Sequence, residues 1–188
     1  MKLILASNSP RRKEILTNSG YQFIVMPSSF NEEVFSFNPV ETAVGFAFGK
    51  ASDVFNLLKD NSNVVVLGVD TVVYSDNKIL GKSKSDKQAF EMLKRLSGRT
   101  HSVISGYALI TSGKTVKGYA ETQVTFNELT DDVIWEYVKS GLYKGKAGSY
   151  GIQDDFPLVK SYNGSLNNFI GLPTEVLYPE LNKILNID

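Results

Sequence analysis

Val64-Val65-Val66-Leu67, a continuous β-branched and apolar run, is followed at once by Gly68-Val69-Asp70-Thr71. A strand with one wet face alternates apolar and polar residues; an unbroken apolar run marks a central strand covered on both faces. That requirement confines the chain to a sheet with layers packed on either side. It also places one carboxylate, Asp70, at the end of a buried hydrophobic strand, where α/β sheets present catalytic groups to a crevice. There Asp70 could hold a metal or take a proton from water, or equally cap a turn or bond locally to Thr71.

The remaining elements fit such a sheet. Residues 2 to 6 read as a buried strand, 10 to 19 as a helix ended by Gly20, and Gln22 to Met26 as a second strand before an acidic loop with Glu32 and Glu33. After Pro39 the clearest amphipathic helix carries Val40, Ala43, Val44, Ala47, Ala51, Val54, Phe55 and Leu58 at three- and four-residue steps, with Lys50 beside the stripe. A hairpin through Ser75-Asp76-Asn77-Lys78 leads to a helix from Asp86 to Leu96. Strands over His101 to Thr111 and Thr115 to Phe126 join through Ser112-Gly113. Thr130 caps a helix through Lys139, and Pro173 starts the last one, with Pro179 kinking or interrupting it. Helices alternate with strands early and hairpins dominate the middle. The expectation is a mixed twisted α/β sheet flanked by helices, with two lobes around a cleft.

The chain has 188 residues, 42% hydrophobic and 21% charged, which suits one soluble domain over 1–188. Twenty basic residues balance twenty acidic ones. No global positive field recruits nucleic acid, so an anion site must concentrate charge locally. With no cysteine and one histidine there is neither a disulfide framework nor a thiolate or histidine zinc cluster. A metal would need oxygen ligands, which suit Mg²⁺ or Mn²⁺. Neither a signal peptide nor a membrane span is apparent, so the expected location is the cytoplasm.

Ser7-Asn8-Ser9-Pro10-Arg11-Arg12 carries the local concentration of charge. Ser9 is a good N-cap and Pro10 suits the first helical position, so unpaired N–H groups and two guanidinium groups meet at a helix start, an arrangement that suits a phosphate. The alternative is a capped surface helix with two solvated arginines. Lys50 and Lys82 add cations; locally, Lys82 in Leu80-Gly81-Lys82 reads as an exposed hairpin lysine. Gly45 to Ala51 is not a P-loop: it is one residue short between the glycines and has Ala where Ser or Thr should bind Mg²⁺. Ser97 and His101 form no nucleophile pair, since no Gly-x-Ser-x-Gly elbow is present. Lys146-Ala147-Gly148-Ser149-Tyr150-Gly151-Ile152-Gln153 reads as a structural turn, although the Gln153 amide could read a base edge.

Taken in order, these segments resemble the Maf family of nucleoside triphosphate pyrophosphatases. The Leu-Ala-Ser-x-Ser-Pro-Arg-Arg opening stands at residues 5 to 12, the Glu loop at Asn31-Glu32, Lys-Ala at 50 and 51, and Asp-Thr-Val-Val at 70 to 73. Gly-Lys stands at 81 and 82, Leu-Ser-Gly-x-x-His-x-Val at 96 to 103, Lys-Ala-Gly-x-Tyr-Gly-Ile-Gln at 146 to 153, and Gly-Leu-Pro at 171 to 173. The resemblance covers essentially the whole chain. It implies a fold like that of the inosine triphosphate pyrophosphatases and hydrolysis of a nucleoside triphosphate to monophosphate and pyrophosphate with a divalent metal.

By the same resemblance Asp70 is the proton acceptor, Ser7, Ser9, Arg11, Arg12, Lys50 and Lys82 hold phosphate, and Glu32 joins Asp70 at the metal. The 146–153 segment is similar to that of the dTTP and UTP branch, in which Arg12, Thr71 and Gln153 set base preference. A house-cleaning role against non-standard nucleotides, a link to cell-division arrest and a homodimer are also implied. The alternatives are a purine or modified-guanine nucleotide pyrophosphatase and a nucleotide- or nucleic-acid-binding regulator of septum formation. Three positions depart from the family pattern: Ser83 replaces Pro after Gly-Lys, Asn31 replaces Asp beside Glu32, and Ser105 replaces Thr before Gly106.

Overall fold

The apolar run opens one of the longest strands of the protein. In the structure, a computed structural model that describes residues 1–33 and 36–187, β3 runs over Val64–Ser75 and is buried without interruption from Val64 to Asp70. On one edge of β3, β1 (Lys2–Leu5) pairs in parallel with Val64 to Leu67, and β2 (Phe23–Val25) lies parallel beyond it. On the other edge β5 (Thr100–Ile110) is antiparallel, followed by β6 (Thr115–Phe126) and β7 (Val159–Asn163). The short β4 (Lys78–Leu80) folds back onto Val73 to Ser75. Its turn has Asp76 at φ 49° and Asn77 at φ 58°, as a two-residue hairpin turn of the I′ type requires.

The expected strand end at Asp70 is corrected by this topology. β3 continues to Ser75; what ends is its neighbour. β1 stops opposite Leu67, where the Ala6 N–H donates to the Leu67 carbonyl at 2.8 Å, and β4 begins only opposite Val73. Residues 68 to 72 therefore have no strand on that edge. The antiparallel ladder with β5 holds them extended, and the vacated edge becomes a cleft.

One face of the sheet is covered by α2 (Pro39–Leu57), which Asn38 caps by accepting from the Val40 and Glu41 N–H groups. The helix packs Ala47, Ala51 and Val54 on Ile4, Val64, Val66, Ala108 and Ile110. Its approach is unusually close. A Cβ on Gly68 would lie 2.0 Å from the Ala47 carbonyl oxygen, and one on Gly106 would lie 2.5 Å from the backbone of Ala43 and Val44. Only residues without a side chain let the helix backbone rest on the strands there.

The opposite face is divided. α1 (Pro10–Asn18) and α6 (Thr174–Leu185) bury Leu16, Leu177 and Leu181 on Leu3, Leu5, Val65, Leu67, Val69 and Leu109. α3 (Asp86–Leu96) and α4 (Asp131–Ser140) form a second cluster with Val73, Val103, Val124 and Phe126. Between these two lobes runs a polar seam. Thr71 Oγ1 and Ser105 Oγ share a hydrogen bond of 2.8 Å, Ser105 Oγ donates to the Asn168 carbonyl, and Asn168 Nδ2 donates to Thr122 Oγ1 at 2.8 Å. Ser105 thus bonds on both sides of its position in the seam.

α6 runs on through Pro179, so the expected interruption does not occur. An interior proline costs about 3 kcal/mol. Leu177 and Leu181 flank it and are fully buried, each contributing about 1.5–3 kcal/mol, so the helix stays docked. β7 and the five-residue α5 (Leu166–Ile170) escape a periodicity reading, the first as a mostly exposed edge strand and the second as little more than a turn. Among the described residues no helix is long and apolar enough to cross a membrane.

Candidate functional site

Alternation along β3 turns Asp70 toward the α2 face and Thr71 toward the lobed face, yet the missing neighbour strand exposes both to one cleft of about 470 Å³. That is room for a small-molecule ligand of nucleotide size. Because α2 lies so close to Gly68, its buried Lys50 reaches the cleft wall. Lys50 Nζ lies 2.6 Å from Asp70 Oδ1 and 2.7 Å from Glu32 Oε1, so one ammonium bridges two carboxylates. Lys82, just past β4 and more than half exposed, lies 3.6 Å from Glu32 Oε2.

The two carboxylates are tuned in opposite directions. Burial pushes Asp70 above its ordinary value, against the pull of Lys50 and Arg12. Glu32, although burial works the other way, is held below its ordinary value by Lys50 and Lys82. Among the described residues no cluster of three or more histidine or acidic side chains forms a self-contained metal cage. The donor set nonetheless fits Mg²⁺ or Mn²⁺ in the manner of nucleotide enzymes, where one or two carboxylates bind a cation whose other ligands are phosphate oxygens and water. Asn31 contributes no carboxylate; its Nδ2 donates to Glu33 Oε1 at 2.7 Å.

The helix start takes the predicted form. Ser9 caps α1 by accepting from the Arg12 N–H at 3.5 Å, and Pro10 occupies the first turn. Arg12 is not a solvated side chain. Its Nε donates to the Gly171 carbonyl at 2.9 Å, one terminal nitrogen to Ser7 Oγ at 3.1 Å and the other to Thr71 Oγ1 at 3.2 Å. Three neutral acceptors from three parts of the chain thus fix its plane. Arg11 lines the same cleft. Burial lowers the pKa of both guanidinium groups, opposed by Asp154 at Arg11 and by Asp70 at Arg12.

The 146–153 segment is more than a turn. The Gly148 N–H donates to the Gly81 carbonyl at 3.0 Å and Ala147 bridges to Lys82, so this segment and the Lys82 strand form one wall. Gln153, in a 3₁₀ turn over Ile152–Asp154, lines the cleft. Ser7, Ser9, Arg11, Arg12, Glu32, Lys50, Asp70, Thr71, Lys82 and Gln153 all come together around it.

Sequence reasoning missed the buried pair of Lys146 and Asp154, and Tyr137, whose hydroxyl donates to Asp154 Oδ2 at 2.5 Å. Asp154 directly follows Gln153, which is the only local signal; Tyr137 lies on another element. His101, at the start of β5, shares a 2.5 Å hydrogen bond with the hydroxyl of Tyr150, another residue of the cleft wall.

Burial lowers the His101 pKa from 6.5 to about 4, so the folded protein keeps the ring neutral. Between those values the unfolded chain binds the extra proton. The His101 contribution to stability is therefore complete above pH 6.5 and falls as pH drops toward 4, by up to about 3 kcal/mol. His101→Gln, which can keep a bond to Tyr150, is expected to flatten this slope. Denaturant midpoints of both proteins at pH 5 and pH 8 check it; parallel pH profiles would refute it.

A Maf-like protein family model matches residues 2–184. The chain is 43% identical over 177 residues to a dTTP/UTP pyrophosphatase of Thermococcus onnurineus, covering 94% of each chain. It is 43% identical over 189 residues to a dTTP/UTP pyrophosphatase of Bacillus thuringiensis subsp. konkukian, covering 100% of this chain and 97% of the other. A solved nucleoside-triphosphatase / dITP/XTP pyrophosphatase from Mycobacterium abscessus matches at TM-score 0.41 and 15% identity over 69% of this chain and 76% of the other. With a family model spanning nearly every residue and full-length relatives above two-fifths identity, the chain belongs to the Maf family.

Proposed function

We propose that this protein hydrolyses dTTP and UTP to the monophosphate and pyrophosphate. The observation that carries the reading is the cleft itself. A buried carboxylate at the open edge of β3 faces two lysines, a helix start with two arginines, and a wall ending in a two-sided amide. The dTTP/UTP pyrophosphatases that the chain resembles over nearly its full length supply the substrate class. The continuous sheet supports taking residues 1–188 as one domain.

In this reading Asp70 accepts the proton of a water that attacks the α-phosphorus. As the new P–O bond forms, the bond to the bridging oxygen breaks and pyrophosphate leaves with the electron pair. The raised pKa of Asp70 makes it a better base near neutrality than an ordinary aspartate. Arg11, Lys50 and Lys82 gather charge around the phosphates, with Ser7, Ser9 and the helix N–H groups as hydrogen-bonding partners. Arg12, tied to Thr71, forms a rigid wall toward Gln153, and these three residues select the base. A divalent cation brought with the triphosphate would be held by Glu32 and Asp70, where it supplies Lewis-acid polarisation of the phosphate oxygens.

Pyrophosphate release from a panel of nucleotides, with and without chelator, tests the reading. Turnover of dTTP and UTP that chelator abolishes is the expected result. Faster turnover of ITP or methylated GTP would reassign the substrate, and no pyrophosphate from any nucleotide would refute the enzyme.

A further inference from the structure

At the end of the cleft wall Gly151 leaves a point on which three polar groups converge. A Cβ there would lie 3.0 Å from Gln153 Oε1, 3.1 Å from Asp154 Oδ2 and 3.2 Å from Lys146 Nζ. Lys146 is buried, yet it lines the cleft. Among the described residues, Asp154 Oδ1 is its one hydrogen-bond acceptor. The second Asp154 oxygen is held by Tyr137. The ion pair therefore carries no net charge, but an ammonium has three N–H groups and only one is spent on Asp154. Leaving the others without acceptors in a desolvated site is costly, so they call for an acceptor from whatever fills the cleft.

Uracil and thymine have that acceptor. Both present a C4 carbonyl beside an N3–H, a donor and acceptor pair that Gln153 can meet with its amide. Cytosine carries an amino group at C4 and would direct N–H toward the ammonium. We propose that Lys146, held in place by Asp154, is a specificity-determining residue that donates to the C4 carbonyl of the base and disfavours cytosine nucleotides. This rests on the dTTP/UTP reading and goes beyond it in assigning the rejection of cytosine to one buried amine.

The test compares kcat/KM for UTP and CTP in the parent and in the double variant Lys146→Met with Asp154→Asn, which removes both charges of the pair; Arg11 also loses the field of Asp154, a loss that falls on UTP and CTP alike. The UTP/CTP ratio is expected to fall about 10-fold or more. A merely structural role would lower both substrates together, so a ratio within about threefold of the parent overturns the proposal. If the double variant does not fold, Lys146→Gln is read in the same way. Its amide can still donate to Asp154 but both donates and accepts toward the base, so the ratio is again expected to fall. A parent that releases no pyrophosphate from UTP would instead remove the dTTP/UTP reading itself.

Discussion

Asp70→Asn is expected to lower kcat for dTTP by about 10³-fold with little change in KM, the scale of loss for a general base. The substitution keeps the shape of the side chain and removes its negative charge, and with it the ability to take a proton and the ion pair with Lys50. Its effect on stability should run the other way. A carboxyl whose pKa is raised by folding binds protons more readily in the native than in the unfolded state, so its ionised form is destabilising once pH exceeds the folded value. Asn abolishes that cost, although Lys50 then keeps Glu32 as its only carboxylate partner. The thermal midpoint at pH 7.5 is therefore expected to hold or rise while turnover collapses, the pattern of a residue kept for chemistry rather than folding. Turnover close to the parent would exclude Asp70 as the base, and a collapsed midpoint would make it a structural group.

Gly68→Ala is expected to destabilise the protein by about 3 kcal/mol, at the upper end of overpacking effects. The added methyl group meets the Ala47 carbonyl oxygen at 2.0 Å and the Ala51 nitrogen at 2.8 Å, both helix backbone that no rotamer change can move. Either α2 lifts from the sheet or β3 bends. Each response shifts Lys50 relative to Asp70, so kcat should fall along with the thermal midpoint, by about 6–12 °C for a chain of this size. Gly113→Ala is the control, because a Cβ at Gly113 meets nothing within 4 Å. If Gly68→Ala melted like the parent, the close approach would not be what sets the Lys50–Asp70 contact.

Several features were legible because they are local. An unbroken apolar run implies two covered faces, the stripe after Pro39 implies α2, and Ser9-Pro10 implies a helix start at Arg11 and Arg12; all three appear. Asp70 lines the cleft, but for a reason the apolar run does not contain. The sequence shows where a strand becomes less apolar but not which neighbour stops beside it, and the cleft exists because β1 ends at Leu67 while β3 continues. β7 and α5 were illegible because an exposed edge strand and a single helical turn carry almost no periodic signal.

Sequence by itself determined the class of fold, the layered core and the identity of the charged groups available for chemistry, since these follow from hydrophobic period, capping and composition. Tertiary structure alone decided which of those groups meet. Lys50 reaches Asp70 because Gly68 and Gly106 let a helix backbone rest on the sheet. Arg12 is held by Ser7, Thr71 and Gly171, and Lys146 and Tyr137 converge on Asp154. Each is a contact between elements, set by strand register and packing distance, quantities that local periodicity does not encode.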